Sequence, residues 1–142
     1  MEIIKEIASW EYTDKAYIGI TINDPDGKPL DDEQLAEIDT GFSGDIILPF
    51  KMFNKYNLNR WESPLPIFGT TVEKREIPFI VASTKISIPK ANLTFDVRIS
   101  TFEEDRDECG HEECEEFLVG IKLLKKLRIL LDSEKERVRL IN

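Results

Sequence analysis

Ala36-Glu37-Ile38-Asp39-Thr40-Gly41-Phe42-Ser43-Gly44-Asp45-Ile46-Ile47-Leu48-Pro49 decides how the rest of this 142-residue chain is read. Leu35 to Ile38 has the makings of a strand that stops at the Thr40-Gly41 turn, and Asp45 to Leu48 of another. An Asp that ends an apolar strand and enters a Thr-Gly turn is held at a loop tip, where its carboxylate can face a cleft. Gly41 permits close backbone approach and donates an unobstructed amide N–H. Pro49 suits the first position of a helix, and the spacing of Phe50, Met52, Phe53 and Tyr56 predicts a short one over Pro49 to Leu58.

Outward from this stretch the dominant period is two. Ile18, Ile20 and Ile22 alternate with Gly19 and Thr21, which places the isoleucines on one face of a strand before the Asn23 to Gly27 turn. Trp61 to Ile67 and Thr71 to Ile80 flank Phe68-Gly69-Thr70, a pattern that predicts a hairpin with Gly69 at its tip. Leu93, Phe95, Val97 and Ile99 alternate again. After Gly120 the spacing of Ile121, Leu124 and Leu127 changes to helical, with Lys125, Lys126 and Arg128 at the end that the helix dipole favours for cations. Ile129 to Leu131 and Val138 to Ile141 close the chain as strands around the turn Asp132 to Glu136. Many short strands and two short helices give a mostly β domain, a small barrel or sandwich, with residues 1–142 read as one domain.

Composition narrows the function. With 28 acids against 19 bases the net charge is −9, which argues against a broadly basic nucleic-acid surface. No apolar run approaches the ~20 residues of a membrane span. Met1 to Lys5 lacks the basic and apolar regions of a secretion signal, and two cysteines are too few for a secreted disulfide scaffold, so the cytoplasm is the expected location. Cys109, His111 and Cys114 could hold zinc, or the thiols could form a local disulfide, or the segment is a plain solvated loop. The single C-x-H-x2-C lacks the paired spacing of strong zinc motifs, so the loop reading is taken, with no metal and no cofactor expected. His111 is the only histidine, which leaves Cys/His and zinc peptidase chemistries poorly supported.

The acid excess is local. Residues 103–116 hold nine acids and one base, while the other 128 residues hold 19 acids and 18 bases. This segment is expected to be a loop, and its charge would favour basic peptides if it borders a cleft.

The segment Asp39-Thr40-Gly41-Phe42-Ser43-Gly44, continuing to Leu48-Pro49, resembles the single-domain aspartic peptidases of the retropepsin-like clan, in particular a small prokaryotic branch with Asp-Thr-Gly-Phe-x-Gly. Leu118-Val119-Gly120 opening a helix is similar to the family's two-hydrophobics-then-glycine signature, and Leu130-Leu131-Asp132 to Val138-Arg139-Leu140 to its terminal hairpin. The resemblance covers roughly residues 15–141 and implies a closed or nearly closed β barrel. It also implies an endopeptidase in which Asp39 is catalytic, Thr40 and Gly41 support it, Gly69 tips a flap, and Phe42, Phe68, Gly69 and Thr70 bind substrate. Phe42 departs from the small residue usual at its place in retroviral and pepsin-type enzymes.

Elementary chemistry adds a constraint. Hydrolysis without metal or covalent nucleophile needs one carboxylate to take a proton from water while a protonated neighbour polarises the carbonyl. One chain holds one Asp-Thr-Gly, so this reading requires a homodimer acting on a peptide or protein substrate, with no nucleic acid or membrane partner. The rival reading keeps the fold and the dimer but has no activity, serving as a peptide- or partner-binding module.

Overall fold

A computed structural model of the chain describes residues 3–63, 67–70, 76–102 and 116–142. Among the described residues there are ten strands: β1 (Glu6–Glu11), β2 (Tyr17–Asn23), β3 (Gln34–Ile38), β4 (Ile46–Ile47), β5 (Ile67–Thr70), β6 (Glu76–Ile88), β7 (Leu93–Phe102), β8 (Leu118–Val119), β9 (Arg128–Asp132) and β10 (Arg137–Ile141). Two short helices, α1 (Phe50–Lys55) and α2 (Ile121–Leu124), punctuate them. Seven strands pair in the order β2-β3-β8-β4-β7-β6-β5, and β2 also pairs with β6. That extra pairing closes β2, β3, β8, β4, β7 and β6 into a six-stranded barrel, leaving β5 as a hairpin arm on β6. A second sheet, β1-β10-β9, is made from the two ends of the chain.

The barrel is filled mainly by Ile20, Ile22, Ile46, Ile86, Ile88 and Ile99, with Phe53, Tyr56 and Leu58 packed in from the α1 region. The alternation in β2 predicts one buried face, yet Gly19, Thr21 and Asn23 are buried as well. At Gly19 the cover comes from the Glu33 carboxylate, 2.6 Å from where a Cβ would stand, and from Trp10 of β1 in the terminal sheet, whose indole nitrogen would be 2.8 Å away. Trp10 is therefore a core residue, as its aromatic bulk suggests. The Asn23 side-chain amide donates to Ser87 Oγ at 2.6 Å and its main-chain carbonyl accepts from the Thr84 hydroxyl at 2.6 Å, while among the described residues the buried Asn23 Oδ1 has no hydrogen-bond partner.

Several expectations shift in detail. The helix over Pro49 to Leu58 ends at Lys55, because Asn57 adopts a left-handed conformation (φ 53°) and the chain restarts as a 3-10 turn over Leu58–Trp61. The helix after Gly120 spans only Ile121–Leu124, with Lys126 and Leu127 bonded three residues back instead of four. Gly69 is not the tip of its hairpin. It sits within β5 opposite Ile77, with Phe68 opposite Pro78 and Thr70 opposite Glu76, and residues 71–75 lie outside the described residues. The segment 103–115, with Cys109, His111 and Cys114, also lies outside them. Strand β1 and the second half of the 13-residue β6 have no counterpart in the sequence reading.

The Tyr56 hydroxyl donates a 2.8 Å hydrogen bond to Asp31, which, with the Asp32 N–H, holds the Asp31 carboxyl below its ordinary range. A depressed folded value stabilises the fold above the unfolded value of about 3.9 and is lost as pH falls through the carboxyl range. Tyr56→Phe is therefore expected to lower the melting temperature at pH 7, and the gap from the parent should close as pH is taken below about 3. Thermal melts across pH check this; a gap independent of pH contradicts it.

Candidate active site

The site begins with a topological oddity. Strands β3 and β4 are joined by residues 39–45, but they are not neighbours: β8 lies between them, parallel to β3 and antiparallel to β4. The connecting loop must therefore cross the end of β8, where Gly120 follows. Ile38 and Ile46 both face Val119 in register, so the loop is pinned at both feet to one residue.

Main-chain bonds fix the crossing. Asp39 N–H donates to Val119 O at 2.9 Å and Gly120 N–H to Asp45 O at 2.8 Å. Ile121 N–H reaches Phe42 O at 2.8 Å and Lys122 N–H reaches Gly44 O at 3.2 Å. The first N–H groups of α2, which lack partners inside the helix, are thus satisfied by the loop carbonyls. Within the loop, Phe42 N–H closes on Asp39 O at 3.2 Å, and Gly41 N–H donates to Asp39 Oδ1 at 2.9 Å. That last bond orients the carboxylate from its own turn. Asp39 is half-buried and Thr40 exposed, so the carboxylate is anchored yet borders an open face.

Phe42 does something its sequence position does not reveal. Its ring lies on Gly44 and against Gly120, and it joins Ile47, Phe102 and Leu118 in a small apolar cluster separate from the barrel core. A Cβ on Gly44 would come within 2.6 Å of the ring, so the Phe-x-Gly spacing is the ring and its seat. Asp45, sequence-read only as a strand start, is 4% exposed and accepts the Arg98 N–H at 2.9 Å, tying the loop to β7. Its buried place between two barrel strands is a tertiary feature without a local signal. Among the expected site residues, Asp39, Thr40, Gly41 and Phe42 share this loop. Phe68, Gly69 and Thr70 lie on β5, separated from β4 in the sheet order by the two strands β7 and β6. Among the described residues no group of three or more His, Cys, Asp or Glu side chains is arranged to hold a metal ion. No helix there is long and apolar enough to cross a membrane.

Gly120 is the tightest point. A Cβ there would press into the Gly44 carbonyl oxygen and come within 2.8 Å of the Phe42 carbonyl oxygen, both backbone atoms that cannot swing aside. Gly120→Ala should therefore cost about 1–3 kcal/mol, in the range of overpacked sites. Chemical denaturation measures it, with Ser43→Ala, at an exposed position of the same loop, as the near-neutral comparison. Equal stability of the two variants contradicts the close approach.

The sequence matches no family model and no curated protein. Solved structures do match. A retropepsin-like aspartic protease from Rickettsia conorii aligns with a TM-score of 0.59 at 16% identity, over 98% of this chain and 92% of that one. The retroviral protease-like domain of Ddi1 from Leishmania major aligns with a TM-score of 0.50 at 14% identity, over 90% of this chain and 94% of that one. At such identities the likeness speaks for architecture alone, and with the closed barrel and the loop that crosses β8 it leads to one statement: this chain has the retropepsin-like fold.

Proposed function

We propose that residues 1–142 form one aspartic endopeptidase domain that works as a homodimer, with a water molecule activated between two Asp39 carboxyls, one from each subunit. The observation that carries this reading is the loop geometry. A single Asp carboxylate is held by the Gly41 N–H at 2.9 Å on a loop locked to β8, in a fold shared with a retropepsin-like aspartic protease. Each chain supplies half of a two-carboxyl site.

The chemistry then runs without metal or cofactor. Two carboxyls about 3 Å apart cannot both ionise, so the pair holds one proton. The ionised Asp39 takes a proton from water as the water oxygen adds to the substrate carbonyl carbon. The protonated Asp39 gives its proton to the carbonyl oxygen, which yields a neutral tetrahedral diol. The Asp39 that took the water proton gives it to the amide nitrogen while the other, now ionised, takes a proton from a diol hydroxyl, so the C–N bond breaks, an amine and a carboxylic acid leave, and the pair again holds one proton. Thr40 holds the two loops in register across the axis, and Gly41 orients the carboxylate. Phe42 shapes one wall. Phe68, Gly69 and Thr70, on the β5 arm, contact an extended peptide bound in strand-like fashion. The acidic segment 103–116, just before Leu118-Val119-Gly120, gives basic peptides the advantage. The two cysteines fit a cytoplasmic setting better than a secreted scaffold.

The test is Asp39→Asn assayed on matched Lys-rich and Glu-rich peptides. The parent should cleave both, the Lys-rich one faster at low salt and with the margin shrinking as salt rises. The variant should lose at least about 10^2–10^4-fold in rate while its sedimentation is unchanged. A parent that binds peptides but leaves them intact makes the protein a binding module; cleavage that survives Asp39→Asn removes Asp39 from the chemistry.

A further inference from the structure

A cavity of about 410 Å³, within the size range of small-molecule sites, opens beside the far foot of the crossing loop. Its wall includes Asp45 of the loop, Asp96 and Arg98 of β7, Lys122 of α2, and Lys126 just after it. None of the residues proposed to bind substrate stands in that wall.

Asp45 is the unusual member. It is 4% exposed, and its Oδ2 accepts the Arg98 N–H at 2.9 Å. Its buried Oδ1 has no hydrogen-bond partner among the described residues. A buried carboxylate oxygen without a donor is costly, so a donor belongs there. Three cations share the wall with it. Among the described residues the Arg98 guanidinium and the Lys122 ammonium make no ion pair and no side-chain hydrogen bond. Lys126 Nζ lies 5.9 Å from the centre of the Phe95 ring. Asp96, the other acid of the wall, is already matched by Lys85 Nζ at 2.6 Å. On a chain of net charge −9, this is a locally positive wall around one buried acceptor.

The two demands select the occupant. A simple cation would satisfy Asp45 but meet three positive side chains. An acceptor-only anion would satisfy those side chains but set its own lone pairs against Asp45 Oδ1. An anion that keeps a proton satisfies both, and a phosphoryl group is one at near-neutral pH, with its second pKa at about 6. The place is also tied to the crossing loop. Lys122 N–H donates to Gly44 O at 3.2 Å and Gly120 N–H to Asp45 O at 2.8 Å. An occupant joining Asp45 to Arg98 and Lys122 adds a side-chain link where the main chain already binds the loop to β7 and α2.

We propose that this cavity binds a protonated phosphoryl group, carried by a phosphate monoester or by free phosphate. Its P–OH donates to Asp45 Oδ1 while its other oxygens accept from Arg98, Lys122 and Lys126. The full-length chain is titrated by calorimetry at pH 6 and constant ionic strength with inorganic phosphate, glycerol phosphate and sulfate. At that pH a phosphate monoester is about half protonated, whereas sulfate holds no proton. One phosphoryl ligand should bind per chain, and sulfate about ten- to a hundredfold more weakly despite its larger charge. Asp45→Asn can keep its oxygen on the Arg98 N–H and present an NH2 donor in place of Oδ1, so the preference for phosphate should vanish or reverse. Lys122→Gln combined with Arg98→Gln should weaken phosphate about tenfold and leave the preference in place. Tighter binding of glycerol phosphate assigns the cavity to an ester and tighter binding of inorganic phosphate to the free ion; either order upholds the phosphoryl site. A parent that binds neither phosphate nor its ester overturns it, as does a parent that binds phosphate and sulfate alike, or a preference that survives Asp45→Asn. Should the Asp45 variant fail to fold, the parent's own ratio of phosphate to sulfate affinity decides.

Discussion

The contact between Gly120 and the loop above it is the constraint on which the rest of the site depends. Strands β3 and β4 can straddle β8 only if the segment joining them passes over the end of that strand, and it passes there because Gly120 has no side chain. The close approach brings the Phe42 and Gly44 carbonyls onto the first N–H groups of α2 and the Gly120 N–H onto Asp45. One missing methyl group thus fixes the loop at three points. Asp39 inherits its position from that crossing and its orientation from the Gly41 N–H. Phe42 then covers the two glycines and closes a small apolar cluster beneath the loop.

Rigidity of this kind has a chemical use. A carboxylate on a free loop would gain little from meeting a second one, because repulsion would push the two apart. Held by backbone bonds, two such loops can be forced together and made to share a proton. On the proposed reading half a site is of little use alone, since the chain carries one Asp-Thr-Gly and one such crossing loop.

Much of this is legible in the residues and some is not. The strand before Asp39, the strand after Gly44 and the closing β9–β10 hairpin follow from short-range alternation and turn chemistry, and the structure places them within a residue or two. The loop residues Asp39 to Phe42 were recognisable because Asp-Thr-Gly is rare between two strands. What escapes is set by contacts distant in sequence. Gly19 reads as a gap in an alternating strand, and only the arrival of the Glu33 carboxylate and of Trp10 from β1 shows why it is there. Gly69 reads as a turn, yet pairing with Ile77 draws it into a strand, since a glycine satisfies either role. Asn57 ends α1 through a left-handed backbone that the apolar spacing of its neighbours does not announce. The seat of the Phe42 ring on Gly44 and Gly120 joins two segments some 75 residues apart and has no local signature.

The central claim is that two copies of this chain bring their Asp39 carboxyls together. A crystal structure of the dimer at neutral pH measures that directly. The account predicts a two-fold axis between the Asp39 side chains, with carboxyl oxygens of the two subunits within about 3 Å, close enough to share one proton. A dimer whose Asp39 carboxyls face solvent more than about 10 Å apart, beyond any shared proton or single bridging water, would contradict it.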